Sequence, residues 1–268
     1  MVLSSNNIPD SKGINSYLRD KSFAKLLEYY CGKELFEQVE NKFIELGEVV
    51  GSELEELALS ADKNPPKLKK RSRVGESSNN IEKHPDFIKI EKLAFEKFGL
   101  AAMSHRHGVF GMQQPLPPIV KYGLTFLFVQ SEFGLCCPLS MTDSLTRTLK
   151  KFGDKKLIDK FFDQLTSQDL DHLFQGAMFM TEQHAGSDVG SIDTLAEFED
   201  GNWFLTGDKW FCSNPDADLA MVLARHNKKI NGTKGLALFL LPKTLENGDP
   251  NNYEIIRLKD KLGGRSFA

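Results

Sequence analysis

The 268-residue chain carries 40% hydrophobic and 26% charged residues and a net charge of −3, ordinary globular values with ample material for a core. The slightly acidic balance excludes a protein that coats nucleic acid through bulk electrostatics. No stretch approaches the ~18 apolar residues of a membrane span and the first residues lack a leader's basic and apolar regions, so with four cysteines in no CxxC spacing a reduced, cytoplasmic chain is expected.

Residues 1–14 are polar, with Pro9 and Gly13, and read as a flexible arm. From 16 to about 59, Phe23, Leu26, Leu27, Tyr30, Leu35, Val39, Phe43, Leu46 and Val50 recur at helical spacing. Gly32 splits this stretch into two helices, and Gly51 permits a kink near the end of the second. Residues 62–80 read as a loop, because Pro65-Pro66 stops a helix and the stretch from Gly75 to Asn80 is polar. The basic run from Lys67 to Arg73 has no interleaved aromatics to stack bases, so it reads as a solvated loop.

His84-Pro85 opens a helix over 86–98, with Pro just inside its start. His105 and His107 have no Cys or Asp close by in the sequence, and no metal site is expected. Three further helices fit 119–134, 140–152 and 155–165. At Phe174 the apolar period changes from 3.6 to 2. Residues 194–199 and 203–206 alternate around a Gly-containing turn, 219–224 and 236–241 are compact apolar runs, and 253–258 adds a strand. The fold class is therefore α+β, with a helical domain over 15–173 followed by an antiparallel β domain over 174–268.

Two stretches stand out. The run from Gln175 to Asp188 begins apolar, turns polar at Thr181-Glu182, and ends in Gly186-Ser187-Asp188; such a strand opening into a Gly loop lets backbone N–H groups approach a phosphate or an amide. The second, Gly207-Asp208-Lys209-Trp210-Phe211-Cys212-Ser213-Asn214, sets two aromatics and a hydroxyl just after a hairpin.

Together the two stretches resemble the flavin signature of the acyl-CoA dehydrogenases, a Thr-Glu-x-x-x-Gly-Ser-Asp loop followed by a Gly-x-Lys-aromatic-x-x-Ser/Thr-Asn strand. Gln183 stands where most members have Pro, and Lys209-Trp210-Phe211-x-Ser213 is similar to the alkylation-response branch. Asn64-Pro65-Pro66, His84-Pro85, Cys137-Pro138-x-x-Met141-Thr142 and the run from Leu258 to Ser266 fit the same branch. The likeness spans roughly 15–268.

The resemblance implies FAD as cofactor and α,β-dehydrogenation of an acyl-CoA thioester, the redox step belonging to the flavin. It assigns Met180, Thr181, Gly186, Ser187, Phe211, Cys212 and Ser213 to cofactor binding, with Ser187 also facing the substrate's pantetheine arm. Thr181 would donate to the pyrimidine edge of the ring and Ser213 to flavin N5. Phe211 takes the place of a stacking Trp, keeping the aromatic face without the indole N–H. Glu182 is a structural member of the loop rather than a base.

By the same resemblance the β domain is cut short and a C-terminal helical domain is absent. That part would carry the α-proton acceptor, so no catalytic residue is identified, along with most of an oligomer interface and any DNA-binding surface. Expected partners are an acyl-CoA, an electron-transfer flavoprotein and further copies of the chain, with no membrane. The alternatives are a DNA-associated protective flavoprotein, or an inactive remnant or half of a split protein.

Overall fold

The computed structural model describes residues 11–268. The α+β class expected from the change of period is what the chain adopts: helices first, then a sheet. Most of the expected flexible arm lies outside the described residues; its last part is a turn fastened by the Gly13 N–H to the Gly51 carbonyl (2.7 Å) and by a Lys12–Glu56 ion pair.

The helices are α1 (Ser16–Arg19), α2 (Lys21–Cys31), α3 (Lys33–Val50), α4 (Glu53–Lys63), α5 (Pro85–Glu91), α6 (Pro118–Phe128), α7 (Cys136–Phe152) and α8 (Lys155–Leu165). Their starts follow from local chemistry. Asp20 accepts from the N–H groups of Ser22 and Phe23 ahead of α2, and Asp154 accepts from that of Leu157 ahead of α8. Gly32 breaks α2 from α3 at φ +74°, a conformation that costs a Cβ-bearing residue energy. At Gly51 the chain does not kink but breaks, and α4 begins anew after Ser52. α5 runs on into a wider π turn over Lys92–Lys97. The core gathers on α3, α5 and α6 around Phe43, Phe87, Phe95, Phe98 and Phe128, all fully buried.

Three expectations are corrected. The stretch 62–80 contains a β-hairpin, β1 (Lys67–Arg71) against β2 (Ser77–Glu82), with Leu68 opposite the buried Ile81. One inward apolar pair and a turn closed by Ser72 Oγ, which accepts from Val74 and Glu76, suffice where the polar composition concealed a strand. The basic run is one strand of that hairpin, with Lys69 paired to Glu82 and Lys70 to Glu254.

The sheet is also mixed rather than wholly antiparallel. β3 (Gly176–Phe179) and β6 (Leu219–Arg225) run parallel, while β4 (Leu195–Glu199) pairs antiparallel with β5 (Asn202–Thr206), and β6 with β7 (Leu236–Pro242). Finally, 253–258 forms no strand. Its backbone is held by a side chain instead, the Asn79 amide donating to the Tyr253 carbonyl and accepting from the Ile255 N–H.

The sheet docks on the helices through β3. The Gly176 N–H donates to Thr142 Oγ1 on α7 at 2.9 Å, and a Cβ at Gly176 would stand 2.9 Å from the Thr142 Cα. Gln175 ties both layers: its side chain reaches Glu91 and Asn214, and its N–H the Asp218 carboxylate. The start of β3 is thereby fixed against the helical core.

Inside the helical layer lies a buried charge cluster. Asp143 accepts from His105 Nε2 and Lys121 Nζ, both at 2.7 Å, all three side chains being nearly inaccessible, with Arg147 3.7 Å away. Burial alone would raise the Asp143 pKa, but the two hydrogen bonds and the Lys121 charge outweigh it and hold the carboxyl at about 2. A depressed folded-state pKa gives stability that is present above the unfolded value near 4 and lost as pH falls toward 2. Chemical denaturation should show that loss, on the order of 2 kcal/mol. Asp143→Asn should flatten this part of the profile, and should cost about 3–5 kcal/mol near neutral pH because Lys121 is left buried without a counter-charge.

Candidate functional site

The two stretches singled out in the sequence meet at one junction. As β3 ends, the chain turns through Met180 and Thr181; after β5 it turns through Gly207 to Phe211. The Thr181 carbonyl accepts the Trp210 N–H at 2.8 Å, and the Met180 carbonyl accepts Lys209 Nζ at 3.2 Å. Lys209 Nζ also donates to Glu182 Oε1 at 2.8 Å.

Glu182 is 4% exposed and organises a third segment as well. Its carboxylate accepts from the N–H groups of Asp193 (2.6 Å) and Thr194 (3.0 Å) and from the Thr194 hydroxyl. Burial would raise its pKa, yet Lys209, Thr194 and Asp193 together hold it at about 2. A carboxylate so saturated is a poor proton acceptor near neutral pH, which agrees with reading it as structural. Glu182, His184 and Asp193 could bring three ligand atoms together, but the Glu182 oxygens are already taken by these donors. Lys209 belongs to the motif, but its role in holding Glu182 went unread in the sequence.

Beyond Lys209 the backbone is strained. Phe211 sits at φ +56° and Asn214 at φ +55°, conformations that L side chains rarely adopt. Asn214 is buried and well held: its amide donates to Gln175 Oε1 and the Gly176 carbonyl, and its N–H to the Ala268 carbonyl. The strain at Phe211 turns its ring outward, where it remains 61% exposed. Phe211, Cys212 and Ser213 line a broad cleft of about 2140 Å³ that runs along β5 and β7. Burial pushes the Cys212 thiol up to about 11, so it stays protonated and unreactive.

The remaining candidates stand outside the cleft lining. Met180 and Thr181 join it through backbone bonds only. A Cβ on Gly186 would lie 3.6 Å from the Thr181 methyl, which brings the Gly loop back over Thr181. Ser187 is exposed beside Asp188, whose carboxylate accepts from Gly190 and Ser191 and shapes the loop. Thr181 and the cleft residues are thus neighbours across the junction, held in place by Lys209 and Glu182. Replacing Glu182 with Gln should destabilise the fold by about 3–5 kcal/mol in urea, since Lys209 is left buried and uncompensated. Adding Lys209→Met to that variant should recover part of the loss, a coupling that a double-mutant cycle reads directly.

Residues 6–172 match the N-terminal domain of the adaptive response protein AidB, and residues 177–268 match the acyl-CoA dehydrogenase middle domain. Acyl-CoA dehydrogenase family member 11 of Caenorhabditis elegans is 30% identical over 94% of this chain and 42% of its own length. Putative acyl-CoA dehydrogenase AidB of Escherichia coli is 32% identical over 83% of this chain and 41% of its own. The chain therefore spans about two fifths of the length of these relatives. Among solved structures, Caenorhabditis elegans ACDH-11 in complex with C11-CoA superposes with a TM-score of 0.83 at 27% identity, covering 99% of this chain and 46% of that one. The apo form of Bd2924 superposes at 0.84 and 26% identity, covering 96% and 51%. With both parts matched in order and the signature stretches joined at one buried ion pair, the chain belongs to the acyl-CoA dehydrogenase family, in its AidB-like branch.

Proposed function

We propose that the junction around Thr181 and Phe211 is a flavin site, and that the protein takes part in α,β-dehydrogenation of an acyl-CoA thioester. The observation that carries this reading is the strained Phe211. A bulky residue held at φ +56° with an exposed ring is a conformation that packing alone does not reward, and a planar ligand stacked on the ring would reward it. FAD fits the residue types present: an exposed aromatic face at Phe211, the hydroxyl residues Ser213 in the cleft and Thr181 at the junction, and a loop at Gly186 without a Cβ.

When bound, the flavin would supply the hydride acceptor. The chain's own residues would do the rest. Phe211 would fix the plane of the ring, Thr181 and Ser213 would donate hydrogen bonds to its polar edge, and Met180 and Cys212 would close the site through backbone and apolar contact. Ser187 would meet the ligand's amide or phosphate groups. Glu182, held at about 2, is unsuited to taking the α-proton, so that step needs another carboxylate. An acyl-CoA as substrate is supported by the likeness to ACDH-11, whose structure holds C11-CoA. An electron-transfer flavoprotein as electron acceptor and assembly with further copies belong to the same reading. The free thiols Cys31, Cys136, Cys137 and Cys212 fit a reducing, cytoplasmic setting.

Titration with FAD, followed by quenching of flavin fluorescence, tests the site. Thr181→Val and Ser213→Ala should each weaken binding about fivefold, the equivalent of one aimed hydrogen bond. Their unfolding free energies should stay within about 0.5 kcal/mol of the parent. Parental affinity in both variants would remove these two residues from the site. Bleaching of the bound flavin by a medium-chain acyl-CoA tests the substrate class.

A further inference from the structure

The segment after β7 carries cations at alternate positions, and each rests on an aromatic ring. The Arg257 guanidinium lies 5.3 Å from the centre of Trp210, Lys259 Nζ 4.1 Å from that of Phe211, and Lys261 Nζ 3.5 Å from that of Phe267. Among the described residues, none of these three side chains, nor that of Arg265, is ion-paired with a carboxylate. All four line the cleft that holds Phe211 and Ser213.

The carboxylates of the same cleft do not balance them. Glu246 is committed to Lys160 and Glu254 to Lys70, and Lys209 is committed to Glu182. Asp208 and Asp260 remain, against four cations. Burial, aided by the Lys259 charge and opposed by Cys137, Asp62 and Glu132, holds the Lys261 ammonium below the ordinary lysine range while it donates to the Phe267 carbonyl. An aromatic face offsets only part of such a charge. It leaves the N–H donors on the far side of each cation free for an anion.

We propose that Arg257, Lys259 and Lys261 form a binding site for a phosphate-bearing ligand at this end of the cleft. Phosphate suits them better than a single carboxylate, because an Arg fork and ammonium groups spread along five residues match several oxygens on linked phosphorus atoms. The interleaved rings of Trp210 and Phe211 add the stacking surface that a nucleotide uses. Two sources carry that chemistry, the diphosphate of FAD and the phosphates of an acyl-CoA. The choice between them rests on the function proposed above; the anion site does not.

Acylation of lysines by an amine-reactive ester, followed by peptide mass mapping, reads the site directly. Inorganic pyrophosphate should slow modification of Lys259 and Lys261 several-fold while leaving the exposed Lys33 unchanged, and Arg257→Gln should reduce that protection. Protection by FAD but not riboflavin identifies the flavin diphosphate as occupant; protection by CoA identifies the thioester's nucleotide. If pyrophosphate protects and neither FAD nor CoA does, the anion site stands and the flavin reading fails. Equal labelling with and without pyrophosphate overturns the site. Equal quenching of FAD and riboflavin by the protein would then show that the flavin reading survives without it.

Discussion

Three chain segments that are far apart in sequence converge on the buried pair of Glu182 and Lys209. The carboxylate holds the start of β4 through Asp193 and Thr194, while the ammonium holds the end of β3 through the Met180 carbonyl. Neither group could be buried alone, since an isolated charge in that setting would cost several kcal/mol. Each makes the other tolerable, and four further donors and acceptors complete them. Next to this pair the Trp210 N–H donates to the Thr181 carbonyl, so that bond and the Lys209 anchor together set Thr181 beside the turn that carries Phe211.

The strain at Phe211 and Asn214 makes sense on that foundation. Two residues at positive φ within four positions oppose folding and need compensation from their surroundings. Asn214 receives it, with backbone and amide bonds to Gln175, Gly176 and Ala268. Phe211 receives ring contacts alone, Trp210 edge-on at 5.8 Å and the Lys259 ammonium above its face. The asymmetry locates the place where the structure is under-rewarded, and it coincides with the motif residue whose ring faces the cleft.

Much of the fold was legible because it rests on periodicity and caps. The helix expected over 155–165 is found as Lys155–Leu165, with Asp154 as its cap and an alternation of apolar and charged residues that admits no other period. The helix expected over 119–134 stops at Phe128 instead. Beyond it Glu132 folds back to accept the Leu135 N–H, a local bond that composition does not announce. The direction of β3 against β6 was illegible for a different reason, since a period of two marks a strand but not its sense. The hairpin at 67–82 was hidden by its charges, and its inward face amounts to Leu68 and Ile81. The site residues were visible as motif positions, but the motif does not reveal which of its charges is interior. Burial of Glu182 is a property of three segments together, and no window of the sequence contains all three.

Charged groups in this protein fall into two kinds, and the division separates architecture from recognition. Asp143 with His105 and Lys121, and Glu182 with Lys209, are buried, closed sets in which donors meet acceptors at short distance. Such sets specify how helices and strands register, and they have no capacity left for a ligand. Arg257, Lys259 and Lys261 are the opposite kind: the first two exposed and the third half-buried, each resting on an aromatic face and none ion-paired with a carboxylate among the described residues. A chain selected only for stability would gain from a nearby acid, and Glu254, close by in sequence, is instead spent on Lys70 of the hairpin. The uncompensated charge therefore lies where a ligand, and not the fold, would complete it.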